Sequence, residues 1–438
     1  MPKPFRTNAP FEEHLVRYGL PFAPFLIAKA RGTVLVDTEG RELLDFTSGQ
    51  MCATVGHNHP RIVAAIEAAL DGALHLFSGM LSPPVVELSK RLASMLPPSL
   101  SKALFLSTGG EANEAALKMA KLHSGKYEIV GFTGAWHGMT SGAQSVNYFA
   151  GRKDYGPMLP GALAIPAPNA YRCPVRHCRD ACDGTCLAVG FDLVDAQSTG
   201  SLAAVIAEPV ESAGGVIVPP EGYWQKIKEH CEARGMLLIF DEAQTAFRLG
   251  RDFAFQHFGV EPDILVLSKT LGGGIPLSAV ITSAAIEADC HDKGFLHVTS
   301  HVSDPLPAQV GLAVLDVIAE QGLEARAVEM GARLAAGLRH LQERHEIIGD
   351  VRGLGLLYGV ELVEDRETRV PDPERARAIT ARCMELGLSM NIVAIGAMAA
   401  IWRIAPPLTV SAEEIDRAIA ILDQAIGEVL AGRASRAP

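Results

Sequence analysis

The fold is decided by the stretch Met236-Leu-Leu-Ile-Phe-Asp-Glu242, together with Ile264-Leu-Val-Leu-Ser-Lys-Thr270. Each part begins with a short, continuous apolar run, which is typical of a parallel strand covered on both faces. The first run ends at Asp241, and Lys269 follows the second. Because ligands gather at the carboxyl ends of strands in open α/β sheets, we expect this carboxylate and this amine to face one ligand.

Either residue alone fits an ordinary charge at the end of a strand. The pair, with the glycine run 272–274 beside the lysine, favours a ligand site. A desolvated lysine has a lowered pKa and can act as a Schiff-base nucleophile. A buried aspartate is the usual partner of the pyridinium nitrogen in enzymes that use pyridoxal phosphate. We therefore predict that Asp241 and Lys269 are catalytic.

Composition bounds the class of protein. A chain of 438 residues is longer than one domain with a single hydrophobic core usually is, so two or three domains are expected. With 48% hydrophobic and 20% charged residues, the chain is expected to be soluble and globular. The net charge of −11 argues against a nucleic-acid partner. No apolar run approaches the about 20 residues of a membrane span, and no apolar signal core follows the N-terminus, so we expect no membrane partner and a cytoplasmic location.

Strand and helix patterns alternate between residues 103 and 283. This alternation predicts an α/β fold with a large, doubly wound, mainly parallel sheet. We assign the large domain to residues 49–310 and a smaller α+β domain to residues 311–438. Residues 1–48 contain a hairpin pattern and are predicted to form an N-terminal segment that packs with the small domain.

Two further strand ends in the large domain carry candidate ligand contacts. The strand 103–106 runs into Ser107-Thr-Gly-Gly and then a helix, and such a turn offers free N–H groups to an anion. Many turns of this kind hold no ligand. Trp136 and His137 follow the strand 127–132 and suit a flat ring, although a core tryptophan with a satisfied histidine is the alternative.

Residues 150–190 lose all periodicity, so a long loop is predicted there. It contains four cysteines, at positions 173, 178, 182 and 186. Their spacing, C-x4-C-x3-C-x3-C, lacks the Cys-x2-Cys pair of common zinc sites. Zinc or a metal cluster is therefore disfavoured against thiols or facultative disulfides.

Several stretches resemble the class III aminotransferases, which are fold type I enzymes that use pyridoxal phosphate. The matching segments are STGGEANEAALKMAK (107–121), WHGMT (136–140), IAEPV (206–210), DEAQT (241–245), PDILVLSKTLGGGIP (262–276) and WRIAPPLTV (402–410). They cover most of the chain in the order of the family. The resemblance implies a fold type I transferase that takes amino acids and keto acids as substrates and forms a homodimer or homotetramer.

The resemblance also assigns cofactor contacts. They are implied for Thr108, Gly109, Gly110, Trp136, His137, Asp241, Ala243, Gln244, Lys269 and Ser300. Lys269 is implied to form the Schiff base and then to move the proton, and Asp241 to keep the ring nitrogen protonated. Gln244 is implied to reach the phenolic oxygen, and Trp136 and Ala243 to cover the two faces of the ring. The segment Thr108–Gly110 holds the phosphate, and Ser300 reaches the phosphate of the neighbouring subunit.

Within this family the chain is most similar to the 2,2-dialkylglycine decarboxylases. The segments that carry this similarity are LDFTSGQM (44–51), HLFSGMLS (75–82), SHVSDPLP (300–307) and GLSMNIV (387–393). It implies that Gln50 binds the departing carboxylate and that Arg403 holds the carboxylate of the amino acid that is transaminated. Met139, Ser212 and Ala213 complete the implied substrate pocket. The implied reaction converts a dialkylglycine, such as 2-aminoisobutyrate, and pyruvate into a ketone, CO₂ and alanine.

The same similarity implies a bound alkali ion. A potassium site is implied at Leu76, Ser78, Ser300, Val302 and Asp304, with the leucine and the valine contributing carbonyl oxygens. A sodium site is less favoured, because Leu96 stands where a threonine hydroxyl is expected. Ala213 also departs from the pattern, since a serine is expected there.

Two alternatives remain open at this point. The first is a plain aminotransferase that acts on an amino acid or amine, with Gln50 only shaping the pocket. The second is a regulator that binds pyridoxal phosphate without catalysis. The regulator is disfavoured because the chain has no basic DNA-binding domain and retains Lys269, Asp241 and Arg403.

Overall fold

The computed structural model describes residues 14–19, 22–148, 152–175, 182–392 and 399–432. Cys178 lies outside these ranges. Within them, no helix combines the length and the apolar character that crossing a membrane would require.

The strands are β1 (Ile27–Arg31), β2 (Val34–Asp37), β3 (Glu42–Asp45), β4 (Lys102–Leu106), β5 (Glu128–Phe132), β6 (Ala162–Ile165), β7 (Leu202–Ala207), β8 (Leu237–Asp241), β9 (Ile264–Leu267), β10 (Ser278–Thr282), β11 (Ile348–Leu354), β12 (Leu357–Leu362), β13 (Leu388–Ser389), β14 (Asn391–Ile392) and β15 (Ile401–Ile404).

The helices are α1 (Ser48–Met51), α2 (Pro60–Ala69), α3 (Pro83–Met95), α4 (Gly109–Ser124), α5 (Ser141–Ser145), α6 (Thr185–Gln197), α7 (Tyr223–Arg234), α8 (Phe255–Phe258), α9 (Ala284–Asp292), α10 (Pro305–Glu320), α11 (Leu323–Arg344), α12 (Pro373–Glu385) and α13 (Ala412–Leu430).

A seven-stranded sheet forms the centre of the molecule, in the order β4-β10-β9-β8-β7-β5-β6. Strand β10 runs antiparallel to both of its neighbours, and the remaining pairings are parallel. The prediction of a mainly parallel α/β sheet is confirmed.

The apolar runs that predicted β8 and β9 are buried on both faces of this sheet. Along β8, Leu238 and Phe240 pack into one core, and Ile239 packs into the core on the opposite face. Along β9, Leu265 alternates with Val266 in the same way. Because successive side chains point to opposite faces of a strand, burial on both sides requires a continuous apolar run.

Strands β8 and β9 are parallel neighbours, so their carboxyl ends lie at the same edge of the sheet. Asp241 pairs with Val266 in this register. Lys269 follows Val266 by three residues, which places its backbone at the edge where β8 ends. This pairing explains why two charges far apart in the sequence meet in space.

The prediction of one long loop over residues 150–190 is wrong in part. Strand β6 pairs in parallel with β5 at the edge of the central sheet, and helix α6 begins at Thr185. A four-residue strand is too short to show periodicity, so its pairing with β5 decides its conformation. Cys173 and Cys186, which lie within this region, are buried and in contact.

A second, antiparallel sheet contains β11, β12, β15 and β14 in that order. The N-terminal strands form a further sheet in the order β1-β2-β3-β13, where β3 pairs with the C-terminal β13. The domain boundaries at residues 48 and 310, and the packing of the N-terminal segment with the small domain, stay predictions.

Candidate active site

Asp241 ends strand β8 and is buried. Its Oδ2 accepts hydrogen bonds from Asn113 Nδ2 at 2.7 Å and from His137 Nδ1 at 2.9 Å. Its Oδ1 accepts from the backbone N–H of Ala243 at 3.0 Å. Burial by itself would raise the pKa of Asp241, but the hydrogen bond and charge of His137 and the charge of Lys269 hold the pKa below its usual value. Asp241 therefore stays ionised inside the protein.

Lys269 follows strand β9 in a left-handed backbone conformation, with a φ of +46°. Such a φ is strained for a residue other than glycine and persists only where the surrounding structure enforces it. Burial lowers the pKa of the Lys269 amine, although the nearby Asp241 opposes this shift. A lowered pKa increases the fraction of the neutral amine, which is the nucleophilic form.

Asp241 and Lys269 line one cavity of about 300 Å³ at this edge of the sheet. The predicted phosphate contacts Thr108, Gly109 and Gly110 line the same cavity. The structure thus brings the carboxylate, the amine and the glycine turn around one space.

The glycine turn is the N-terminus of helix α4. Thr108 caps this helix by accepting a hydrogen bond from the N–H of Glu111 at 3.3 Å. The first turn of a helix leaves N–H groups without intrahelical acceptors, and these groups bind anions well. A Cβ added to Gly109 would lie 3.4 Å from the side chain of Ser268, at the edge of ordinary van der Waals contact.

Trp136, His137 and Ala243 line the cavity between the glycine turn and Asp241. The Nε2 atom of His137 is buried and has no hydrogen-bond partner among the described residues. A carboxylate, an amine, an anion cradle and a large flat side chain are the groups that pyridoxal phosphate requires. The residues present therefore fit this cofactor.

Arg403 and Ser212 meet at Gln244. The Oε1 of Gln244 accepts hydrogen bonds from Arg403 Nη1 at 2.9 Å and from Ser212 Oγ at 3.0 Å. Gln244 lines the cavity, so this contact brings the guanidinium of Arg403 to the cavity wall. Burial lowers the pKa of Arg403, and the charge of Glu208 opposes that shift.

Glu208 also lines the cavity, and it is not among the predicted site residues. It accepts hydrogen bonds from the N–H groups of Trp136 at 3.2 Å, Ser212 at 3.1 Å and Ala213 at 3.4 Å. Burial raises the pKa of Glu208 to about 7. The available signal was its position, because Glu208 follows β7 directly, just as Asp241 ends the neighbouring β8.

Six predicted cofactor and substrate residues do not line the cavity themselves. Arg403 and Ser212 contact the lining residue Gln244, and Ala213 contacts the lining residue Glu208. Gln50 and Ser300 are exposed, and Met139 is half-exposed. Cys52, two residues after Gln50, lines the cavity instead. The substrate roles of Gln50 and Met139 and the role of Ser300 towards a neighbouring subunit stay predictions.

Asn113 and Cys52 are cavity residues that sequence reasoning missed. Asn113 lies four residues after Gly109 in α4, so helical spacing places both on the same face, and this signal was present in the sequence. Nothing in the pattern around Cys52 indicated a ligand contact.

Asp304, in the predicted potassium site, is buried and accepts hydrogen bonds from two imidazoles. His75 Nδ1 lies 2.7 Å from one carboxylate oxygen, and His301 Nδ1 lies 2.6 Å from the other. The remaining predicted ligands flank these histidines in the same two loops, and they are Leu76, Ser78, Ser300 and Val302. The potassium site stays a prediction.

Comparison with known proteins identifies the family. The model of the family "Aminotransferase class-III" matches residues 18–426. An uncharacterised aminotransferase of Schizosaccharomyces pombe is 50% identical over 94% of this chain and 92% of its own length. A leucine/methionine racemase of Thermococcus litoralis is 35% identical over 94% of this chain and 93% of its own length.

Solved structures agree with these matches. An aminotransferase of Bacillus anthracis superposes with a TM-score of 0.89 at 29% identity, covering 95% of this chain and 97% of that one. An amine transaminase from an uncultivated Pseudomonas species, in its PLP-bound form, superposes with a TM-score of 0.85 at 30% identity, covering 97% of each chain. The fold is that of the fold type I transaminases, and the chain belongs to the class III aminotransferase family.

Proposed function

We propose that this protein is a pyridoxal phosphate-dependent aminotransferase that moves an amino group between an amino acid or amine and a keto acid. The observation that carries the proposal is the meeting of Asp241 and Lys269 at one cavity, beside the open N-terminus of α4. When bound, pyridoxal phosphate supplies an electron sink for the bonds of the carbon that carries the amino group.

Different residues of the cavity would bind the ring nitrogen, the phosphate and the aldehyde of pyridoxal phosphate. Asp241, ionised and fixed by His137, holds a proton on the ring nitrogen. The N–H groups at Gly109 and Gly110 bind the phosphate. Lys269 would provide the amine that attaches the cofactor, and the same amine would serve as the general base and acid for the substrate carbon that bears the amino group.

The wall opposite Lys269 would orient the substrate. Trp136 and Ala243 cover the ring faces, and Gln244 donates to the phenolic oxygen. Arg403 binds the substrate carboxylate through its planar fork, the geometry for which guanidinium is suited. We also propose that the protein acts as a homodimer or homotetramer in which Ser300 reaches the phosphate bound to the neighbouring subunit.

Replacing Arg403 with alanine is expected to lower kcat/KM for amino-acid donors by about 10²-fold or more, because a buried contact between charged groups is lost. A primary amine that lacks the carboxylate should be used as well as before. The measurement is kcat/KM for matched pairs of donors that differ only in the carboxylate. Equal losses for both members of each pair would remove Arg403 from carboxylate binding.

Decarboxylating transamination of dialkylglycines is the second candidate. It is supported by Gln50, which lies on the turn that also carries the cavity residue Cys52. A neutral donor at that position suits a carboxylate that leaves as CO₂. The exposed side chain of Gln50 and the relatives named above fit the plain aminotransferase better.

A donor screen with pyruvate as the acceptor separates these two candidates. CO₂ and alanine are measured together, with 2-aminoisobutyrate among the donors. We expect alanine to form from ordinary donors with no matching release of CO₂. Release of CO₂, acetone and alanine in equal amounts from 2-aminoisobutyrate would instead establish the decarboxylating reaction, and a higher rate in potassium than in sodium would support the ion site at Asp304.

A further inference from the structure

Arg248 carries a buried charge that the roles proposed above do not use. Its side chain is fully buried, and it lies in the segment that follows Asp241 to Thr245. Among the described residues no carboxylate is within ion-pair distance of its guanidinium. A buried charge without a partner is costly, so its presence calls for a function.

Within the described ranges, the acceptors that Arg248 reaches are neutral oxygens. They are Thr54 Oγ1 at 2.9 Å, Pro406 O at 3.1 Å, Leu356 O at 3.3 Å and Ser48 Oγ at 3.4 Å. Its Nε has no hydrogen-bond partner among the described residues. These contacts satisfy most of the N–H groups. The charge of Asp45 acts on the guanidinium only from beyond ion-pair distance, so it compensates the positive charge in part.

The charge lies directly behind the cavity wall. Cys52 lines the cavity, and both Lys269 and Arg248 act electrostatically on its thiol. Thr54, which accepts from Arg248, lies 2.8 Å from the hydroxyl of Thr270, the residue after Lys269. Arg248 is therefore linked to the turn that carries the lysine amine.

A second guanidinium lies nearby. Burial lowers the pKa of Arg248 to about 10, and the charge of Arg403 is the second cause of this shift. A guanidinium with that pKa is still protonated at neutral pH. The two guanidinium groups of Arg248 and Arg403 repel each other. A substrate anion that binds between Arg403 and Lys269 would offset this repulsion by attracting both groups.

We propose that Arg248 is a specificity-determining residue whose buried, only partly compensated charge draws donors with a carboxylate to Arg403 and disfavours donors without one. This proposal rests on the aminotransferase function and deepens it by naming a residue behind the cavity that sets the preference for donors with a carboxylate over amines without one. It assigns to Arg248 an action through space, without direct contact with the substrate.

The test compares Arg248→Met with the unaltered enzyme on two donors. One is the best amino-acid donor from the screen, and the other is the amine that lacks only its carboxylate. We expect KM for the amino acid to rise by about tenfold, with little change in kcat. A tenfold change is the effect expected when one charge that acts over several ångströms at the dielectric of a protein is removed. KM for the amine should stay the same or fall.

Arg248→Lys is the matched control, because it keeps a charge while losing the planar fork. A buried lysine loses its proton more readily than arginine, so the variant should discriminate between the donors at low pH and lose this discrimination as the pH rises. This profile also carries the test if Arg248→Met fails to fold.

The outcomes separate the two proposals. An unaltered enzyme that transfers no amino group from any donor contradicts the aminotransferase function. An active enzyme in which Arg248→Met changes both donors equally, or in which the lysine variant shows no pH-dependent discrimination, overturns the role of Arg248 and reduces it to a structural contact.

Discussion

Lys269→Ala is expected to abolish amino transfer and to remove the visible absorption band of the lysine-bound cofactor. The substitution deletes both the amine that attaches the cofactor and the group that carries the proton, and the proton-transfer role alone is worth about 10²- to 10⁴-fold in rate. The measurements are single-turnover kinetics and an absorption spectrum of the purified protein with added pyridoxal phosphate. The exposed Lys293, which pairs with Asp289, gives the matched control Lys293→Ala, and that variant should keep both activity and spectrum.

An unchanged spectrum in Lys269→Ala would mean that another amine holds the cofactor. If the unaltered protein shows the absorption band of the lysine-bound cofactor but no turnover with any donor, the result would favour the regulator that binds pyridoxal phosphate without catalysis. The two results differ, because the first concerns one residue and the second concerns the whole protein.

Asp241→Asn is expected to lower kcat by about 10²- to 10³-fold, the usual effect of removing one preorganised electrostatic group from an active site. The amide has nearly the same shape, but it carries no charge to hold a proton on the ring nitrogen. It also presents an N–H group towards either Asn113 or Ala243, both of which donate to the carboxylate. We therefore expect weaker retention of the cofactor, measured by absorbance after gel filtration, together with the loss in kcat.

Glu242 supplies the control for this variant, because it is the next residue and is equally buried. It accepts hydrogen bonds from the N–H groups of Ala254 and Phe255, and it does not line the cavity. Glu242→Gln should change the stability of the fold while keeping turnover. If Glu242→Gln lowers kcat as much as Asp241→Asn does, loss of a buried acid near the site explains both results.

The sequence predicted those parts of the site that depend on local pattern. The continuous apolar runs predicted β8 and β9, and their ends located Asp241 and Lys269. The glycine turn before α4 was predicted in the same way, since a strand, two glycines and a helix are contiguous in the chain. A resemblance to a known family then supplied Arg403.

The contacts that order the site could not be predicted, because they join distant segments. Asn113 reaches Asp241 across 128 positions, and Arg403 reaches Gln244 across 159. The short strand β6 was missed for the same reason, since its pairing with β5 decides its conformation. Sequence pattern alone therefore located the carboxylate and the amine at the cavity, but it did not find the hydrogen bonds that hold them.

The left-handed backbone at Lys269 couples the role proposed for this residue to a cost in stability. Glycine adopts this conformation without strain, so a mutant with glycine at the position is expected to gain about 1 kcal/mol of folding stability from the backbone. An engineering screen for stability that ignored turnover would therefore select against the amine, and the proposed activity and the stability of the fold oppose each other at this residue.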